Sequence, residues 1–228
     1  MTGIAILCRY NSSRLPGKIL KQINGKEILT YILERLSPLT REYPIVVCTS
    51  TESTDDPIAD FCAEYGVKCF RGDLDNVALR FLNCAREYNF DHIVRINGDN
   101  IFLDPSLIAH MISTIEQEQF HFISNVKNRT YPKGMSVEIV NVAFYEKCFP
   151  FFQQDDLEHV MTYFYRQDDE KIHFVYDAEG VGQGLNFAID TPEDFSNASS
   201  IISSMEKDHT AYGYREIIEI FEKLQYEE

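Results

Sequence analysis

The chain has 228 residues, 44% of them hydrophobic, enough to fill the core of one large α/β domain. Its 21 Lys and Arg stand against 36 Asp and Glu, and the resulting formal charge of -15 opposes a sustained grip on a nucleic-acid backbone. A polyphosphate ligand would have to be met locally, by a few placed cations, backbone N–H groups and a bound metal.

Short apolar, β-branched runs alternate with helical periodicity along most of the chain. Ile4 to Cys8 reads as the first strand. It is followed by a polar loop, Arg9 to Lys18, that carries three cations (Arg9, Arg14, Lys18), two hydroxyls (Ser12, Ser13) and Gly17. Backbone N–H groups and serine hydroxyls can contact phosphate oxygens, while the cations offset charge on a leaving pyrophosphate. The alternative is a solvated basic connector. The loop has neither the P-loop spacing nor the dinucleotide fingerprint.

Ile28 to Leu36 predicts a helix, Ile45 to Cys48 a strand, and Pro57 to Tyr65 a helix with Asp56 as its N-cap. Val67 to Phe70 and His92 to Ile96 read as strands on either side of a helix from Val77 to Tyr88. Between strand and helix, Arg71, Asp75 and Asn76 offer the donors and acceptors a cytosine or ribose edge needs; equally, they could form an ordinary capped connection. After the strand at 92–96 comes Asn97-Gly98-Asp99, where a glycine lets the backbone approach a ligand and a carboxylate projects off the strand end. A helix from Pro105 to Glu118, capped by Asp104, and a strand from Phe120 to Ile123 follow.

From about 125 to 185 the alternation loosens into a strand over 134–140, a helix over 156–166 and a glycine group at 180, 182 and 184. This stretch reads as an acceptor-binding and dimerising lobe within a single domain of 1–228. Alternation then returns with a strand from Asn186 to Ile189, a helix opened by Asp190-Thr191-Pro192-Glu193-Asp194, and a last amphipathic helix from Tyr214 to Leu224. Strand–helix alternation argues for a Rossmann-like, mostly parallel sheet with helices on both faces, whose ligands sit at the carboxyl ends of the strands. Mg²⁺ favours one or two carboxylates together with phosphate oxygens and water, so Asp99 and Asp190 are the candidate metal ligands. Asp190 could instead cap the helix that begins at Pro192.

The six cysteines are scattered, without a Cys-x-x-Cys pair, and read as buried reduced thiols. The first ten residues hold only a short apolar stretch, too short for a signal peptide or membrane span, so a cytoplasmic protein without a membrane partner is expected.

Arg9-x-x-Ser12-x-Arg14-Leu15-Pro16-Gly17-Lys18 after the first strand resembles the signature of cytidylyltransferases that activate 2-keto-sugar acids: the acylneuraminate, Kdo and spore-coat (SpsF-like) enzymes. The likeness continues through Thr49-Ser50-Thr51 with Asp55-Asp56-Pro57, Phe70-Arg71-Gly72-Asp73, Arg95-Ile96-Asn97-Gly98-Asp99, Pro132-Lys133-Gly134-Met135-Ser136-Val137-Glu138, Glu158-His159-Val160 and Asp190 to Asp194. The resemblance implies that Mg²⁺ on Asp99 and Asp190 bridges CTP and a small sugar-type acceptor. It implies that the first loop and the segment from Arg71 to Arg80 enclose the nucleotide in a homodimeric enzyme of glycan biosynthesis; Asn97 is a further candidate for the nucleotide, and Glu138 and His159 are candidates for the acceptor, with His159 otherwise a helix histidine that packs or caps. Two departures concern the acceptor side. Asn100-Ile101 stands where relatives carry a small residue and proline, and Ser136 where SpsF-like relatives often carry Asp. A phosphorylated or phosphonate acceptor is the nearest alternative, and a silent nucleotide-binding subunit the alternative from another class.

Overall fold

A computed structural model describes residues 1–227. Strand β1 (Thr2–Leu7) is buried along its whole length, followed by a two-residue hairpin pair, β2 (Gln22–Ile23) and β3 (Lys26–Glu27). Helix α1 (Ile28–Leu36) leads to β4 (Ile45–Ser50), again wholly buried, then α2 (Asp56–Tyr65), β5 (Lys68–Gly72), α3 (Val77–Glu87) and β6 (His92–Asn97). Helix α4 (Pro105–Glu118), β7 (Phe122–Ser124), β8 (Glu138–Asn141), α5 (Val142–Cys148), α6 (Gln154–His159), β9 (Ile172–Phe174), α7 (Pro192–Ser203) and α8 (Tyr214–Glu227) complete the chain.

Seven strands form one sheet in the order β5-β4-β1-β6-β8-β7-β9. The first four run parallel, whereas β8 lies antiparallel between β6 and β7. Full burial of β1 and β4 follows from cover on both faces, which is why these strands read as continuous apolar runs. Ile4, Ile6, Val47, Val94 and Ile96 pack one face against α1, α4, α7 and α8; Ala5, Leu7, Val46, Cys48 and Ile93 pack the other against α3 and α5. Among the described residues no helix is long and apolar enough to cross a membrane. The cysteines form no disulfide and are buried, except for partly exposed Cys69.

Four expected elements differ, each for a local reason. The N-cap of α2 is Asp55, not Asp56: the Asp55 carboxylate is turned to Tyr10 N and Ser50, and Asp56 pairs with Arg71 at 2.7 Å. The strand expected over 134–140 begins only at Glu138. The buried Asn125 amide takes the place of a ladder, accepting from Val137 N at 2.8 Å and donating to Met135 O at 2.9 Å. The helix expected over 156–166 breaks at Val160, whose φ of 65° ends α6; beyond it the fully buried Asp156 carboxylate gathers Thr162 and Arg166. The segment from Asn186 to Ile189 is extended, but its only pairing among the described residues is a single bridge to Lys133. Its Phe187 and Ile189 N–H groups go to Lys133 O and Asp99 O. Gly134 makes this bridge possible: at φ 95°, any Cβ there would lie 2.4 Å from Ala188 N.

Candidate active site

The carboxyl ends of β1 and β6 open onto a cleft of about 720 Å³. Gly98 sets this edge and lines the cleft: its N–H donates to Leu7 O, and a Cβ at this position would fall 2.6 Å from Cys8 Cβ, so the glycine permits close strand-end packing here.

The first loop folds back on Tyr10, whose carbonyl accepts from Ser12 N and Gly17 N, while buried Asp55 holds Tyr10 N at 2.7 Å. Sequence reading missed Asp55 as a loop anchor because its pairing with residue 10 exists only in the fold. Arg9, Ser12, Ser13 and Arg14 line the cleft. The Lys18 side chain is only 15% exposed because it turns inward, donating to Ile189 O at 2.7 Å and Asp190 Oδ1 at 3.0 Å, with Asp99 Oδ2 at 3.7 Å. Asp99 and Asp190, 91 positions apart in sequence, thus reach one ammonium.

The two carboxylates differ in state. Burial raises the pKa of Asp99, Lys18 opposes that rise and the charge of Asp190 adds to it. Burial also acts upward on Asp190, but hydrogen bonds and charge from Lys133 and Lys18 outweigh it and bring the group to about 2. Arg14 adds a third cation to Asp190 at 3.3 Å. Asp190 does not cap α7; that role belongs to Thr191, which forms a reciprocal capping box with Asp194. Asp99 Oδ1 is buried and has no hydrogen-bond partner. An orphaned carboxylate oxygen beside a second carboxylate suits a hard divalent cation that completes its shell with phosphate oxygens and water. No cluster of three or more His, Cys, Asp or Glu suited to a metal occurs among the described residues.

Asn97 and His159 also line the cleft, His159 with a partner in Asp155 at 3.4 Å. Arg71, Asp75, Asn76 and Glu138 are not brought to it. Arg71 is spent on Ser50 O, Glu52 O and Asp56. Asp75 and Asn76 lie in a turn held by the Asp73 carboxylate, and the Asn76 side chain caps α3 by accepting from Leu79 N. Buried Glu138 pairs with Arg95 and accepts from Tyr165 OH at 2.6 Å. In their place the fold brings Arg80, Arg95, Arg129, Lys133 and Glu158 to the cleft. Lys133 bonds Asp190 at 3.0 Å, and a motif position next to Gly134 was its only signal in the sequence. The two departures from the family pattern touch: Asn100 Nδ2 donates to Ser136 O at 3.2 Å, and Arg129 Nη1 lies 3.4 Å from Ser136 Oγ.

Three aromatic residues of the stretch read as the dimerising lobe pack within the chain, whereas Phe151 and Tyr176 are exposed. Tyr131 and Tyr145 are buried, and Phe144 stacks on His121.

A family model for cytidylyltransferases matches residues 4–218. The spore coat polysaccharide biosynthesis protein SpsF of Bacillus subtilis is 32% identical over 144 residues, 60% of this chain and 57% of that protein. A 3-deoxy-manno-octulosonate cytidylyltransferase of Colwellia psychrerythraea is 30% identical over 119 residues, 51% of this chain and 41% of its own. The chain therefore matches about half the length of these two relatives. The solved structure of a cytidylyltransferase from Leptospira borgpetersenii superposes with a TM-score of 0.91 at 29% identity, covering 99% of this chain and 95% of that one.

Proposed function

The chain belongs to the cytidylyltransferase family, and from that premise we propose that it transfers CMP from CTP to a 2-keto-sugar acid for glycan assembly, with Mg²⁺ and release of pyrophosphate. The observation that carries this reading is the meeting of Asp99, Asp190 and Lys18 where the first loop emerges, with one Asp99 oxygen unpartnered. The names of the SpsF and octulosonate relatives support the acceptor class and the role in surface polysaccharide.

In this reading the acceptor hydroxyl forms a bond to the α-phosphorus as the bond to pyrophosphate breaks. Mg²⁺, held by Asp99 and Asp190, supplies charge neutralisation and an orienting centre for the reacting oxygens when bound. Arg9, Arg14 and Lys18 are the cations at the phosphate end, and their charge matters most as the leaving group becomes more anionic. The hydroxyls of Ser12 and Ser13 add hydrogen bonds there, and Asn97, which lines the same cleft at the end of β6, serves the nucleotide. Asp55 keeps the loop in shape before the nucleotide arrives, so little ordering cost remains at the moment of binding. His159 and Glu158 stand on the acceptor side.

Pyrophosphate release is the test, measured with CTP, 3-deoxy-manno-octulosonate and related sugar acids, with and without Mg²⁺. Metal-dependent release with CTP and a sugar acid supports the reading. Release only with a phosphorylated or phosphonate acceptor would move the protein to the neighbouring reaction class, and binding of CTP without release for any acceptor would make it a nucleotide-binding subunit.

A further inference from the structure

Arg95 and Glu138 face each other across the antiparallel β6–β8 pair, and the guanidinium Nη1 donates to the Glu138 carboxylate. The other carboxylate oxygen accepts from Tyr165 OH at 2.6 Å. That bond uses the one phenolic proton, so the Ser124 hydroxyl, 2.6 Å from the same oxygen, donates to it, and Ser124 Oγ in turn accepts from Val126 N at 3.0 Å. Burial and the charge of Glu138 both push the Tyr165 pKa up, so this phenol stays a donor. Every direction in the chain Ser124 to Tyr165 to Glu138 is therefore fixed, and the chain ends on Arg95.

Arg95 lines the cleft, with its side chain 17% exposed. Its Nε is buried and has no partner, and its Nε–Nη2 edge makes no hydrogen bond among the described residues. Nε and Nη2 carry parallel N–H groups, and with Nε buried, Nη2 is the donor left for an oxygen of an anionic group. An unpaired N–H of a charged group in a buried position is costly unless a ligand completes it. Glu138 and Tyr165, which hold Arg95, come from β8 and the segment after α6, within the stretch read as the acceptor lobe, and not from the first loop, which has its own cations for the phosphates.

We propose that Arg95 binds the anionic group of the acceptor through its unpartnered Nη2, and that Glu138 and Tyr165 are positioning residues that hold the guanidinium at the cleft. This rests on the reading of the cleft as a CTP site with the acceptor on the lobe side. It also gives Glu138 a role: the carboxylate sets the donor and does not touch the acceptor. A carboxylate and a phosphate both offer an anionic oxygen, so the acceptor can be a sugar acid or a sugar phosphate.

The test uses full-length protein labelled with ¹⁵N-arginine and saturated with CTP without divalent metal, with the Arg95 Nε–H resonance assigned by its loss in Arg95→Lys. Titration with 3-deoxy-manno-octulosonate, and separately with glucose 1-phosphate, is expected to move this resonance for one of the two, which identifies the anion. Tyr165→Phe should weaken that probe roughly tenfold, as expected for loss of one charge-assisted alignment, with CTP affinity unchanged within about twofold. Arg95→Lys, which keeps the charge but not Nη2, should not restore probe affinity above that of Arg95→Met. Movement of the resonance by CTP alone, no movement with either probe at about 10 mM, a scale that captures weak binding, or a Tyr165→Phe protein with unchanged probe affinity would each overturn the proposal. Failure of the wild-type protein to bind CTP would remove the underlying reading of the cleft, and the proposal with it.

Discussion

The two halves of the sheet handle their charged residues in opposite ways. In the parallel half, β5-β4-β1-β6, polar side chains gather just beyond the strand ends around the cleft: Asp99 keeps a buried, unpartnered oxygen, and Arg14 is 62% exposed. In the antiparallel half the charges are spent inside. Glu138 is committed to Arg95 and Tyr165, and Asp156 to Arg166 and Thr162. The first half presents charge to a ligand, whereas the second uses charge to set the shape of the cleft wall. Substitutions should therefore act mainly on rate in the first half and on stability or acceptor recognition in the second.

The largest effect is expected at Asp99. Asp99→Asn should lower metal-dependent turnover roughly a thousandfold, the scale for losing a charged group that acts on the transition state. The burial that raises its pKa predicts a denaturation midpoint equal to or above that of the wild type. A large drop in stability with activity kept would reverse the contrast between the halves. Lys18→Met comes next, with a loss of roughly a hundredfold in turnover, measured by pyrophosphate release at saturating CTP.

For the antiparallel half, Asp156→Ala should cost about 2 kcal/mol of stability in chemical denaturation, because Arg166, Thr162 and Gln153 N all lose a buried acceptor. The KM for CTP should not change. A smaller effect separates Thr191 from its neighbour. Thr191→Ala removes the cap of α7 and should cost about 1 kcal/mol with turnover kept, since Asp190 retains its cations.

The smallest effect is on pH dependence. The folded pKa of Asp190 lies near 2, below the ordinary carboxylate value, so its stabilisation is complete above that ordinary value and is lost as pH falls towards 2. Asp190→Asn should accordingly be less stable than the wild type at pH 6, with the difference closing as pH falls from about 4 to about 2. A difference that stays constant over this window would mean that the cations do not hold Asp190 in solution.

The same contrast explains what could be read in the sequence. β1, β4 and β6 announce themselves as apolar runs because both sheet faces are covered, and parallel winding brings all their carboxyl ends to one edge. That is enough to bring Asp99 and the first loop together; Asp190 joins them through the extended 186–189 segment, whose Ile189 N–H donates to Asp99 O. Cross-strand register is a property of the folded sheet. Nothing local says that Glu138 will face Arg95, that Asn125 will replace a strand ladder, or that Asp55 will hold Tyr10. Each of these side chains has an equally good local alternative as a turn, cap or surface residue. Lys133 reaches Asp190 only because the 186–189 segment is bridged to Lys133 itself.

The central claim is that Asp99 and Asp190 hold one divalent ion together with the nucleotide, and electron paramagnetic resonance of Mn²⁺ tests it most directly. Free Mn²⁺ is measured in the presence of CTP with wild-type protein, Asp99→Asn and Asp190→Asn. The account predicts that wild-type protein with CTP retains Mn²⁺ beyond what CTP binds alone, and that either substitution abolishes this excess. Excess Mn²⁺ retained equally by all three proteins, or retained by none, would contradict it.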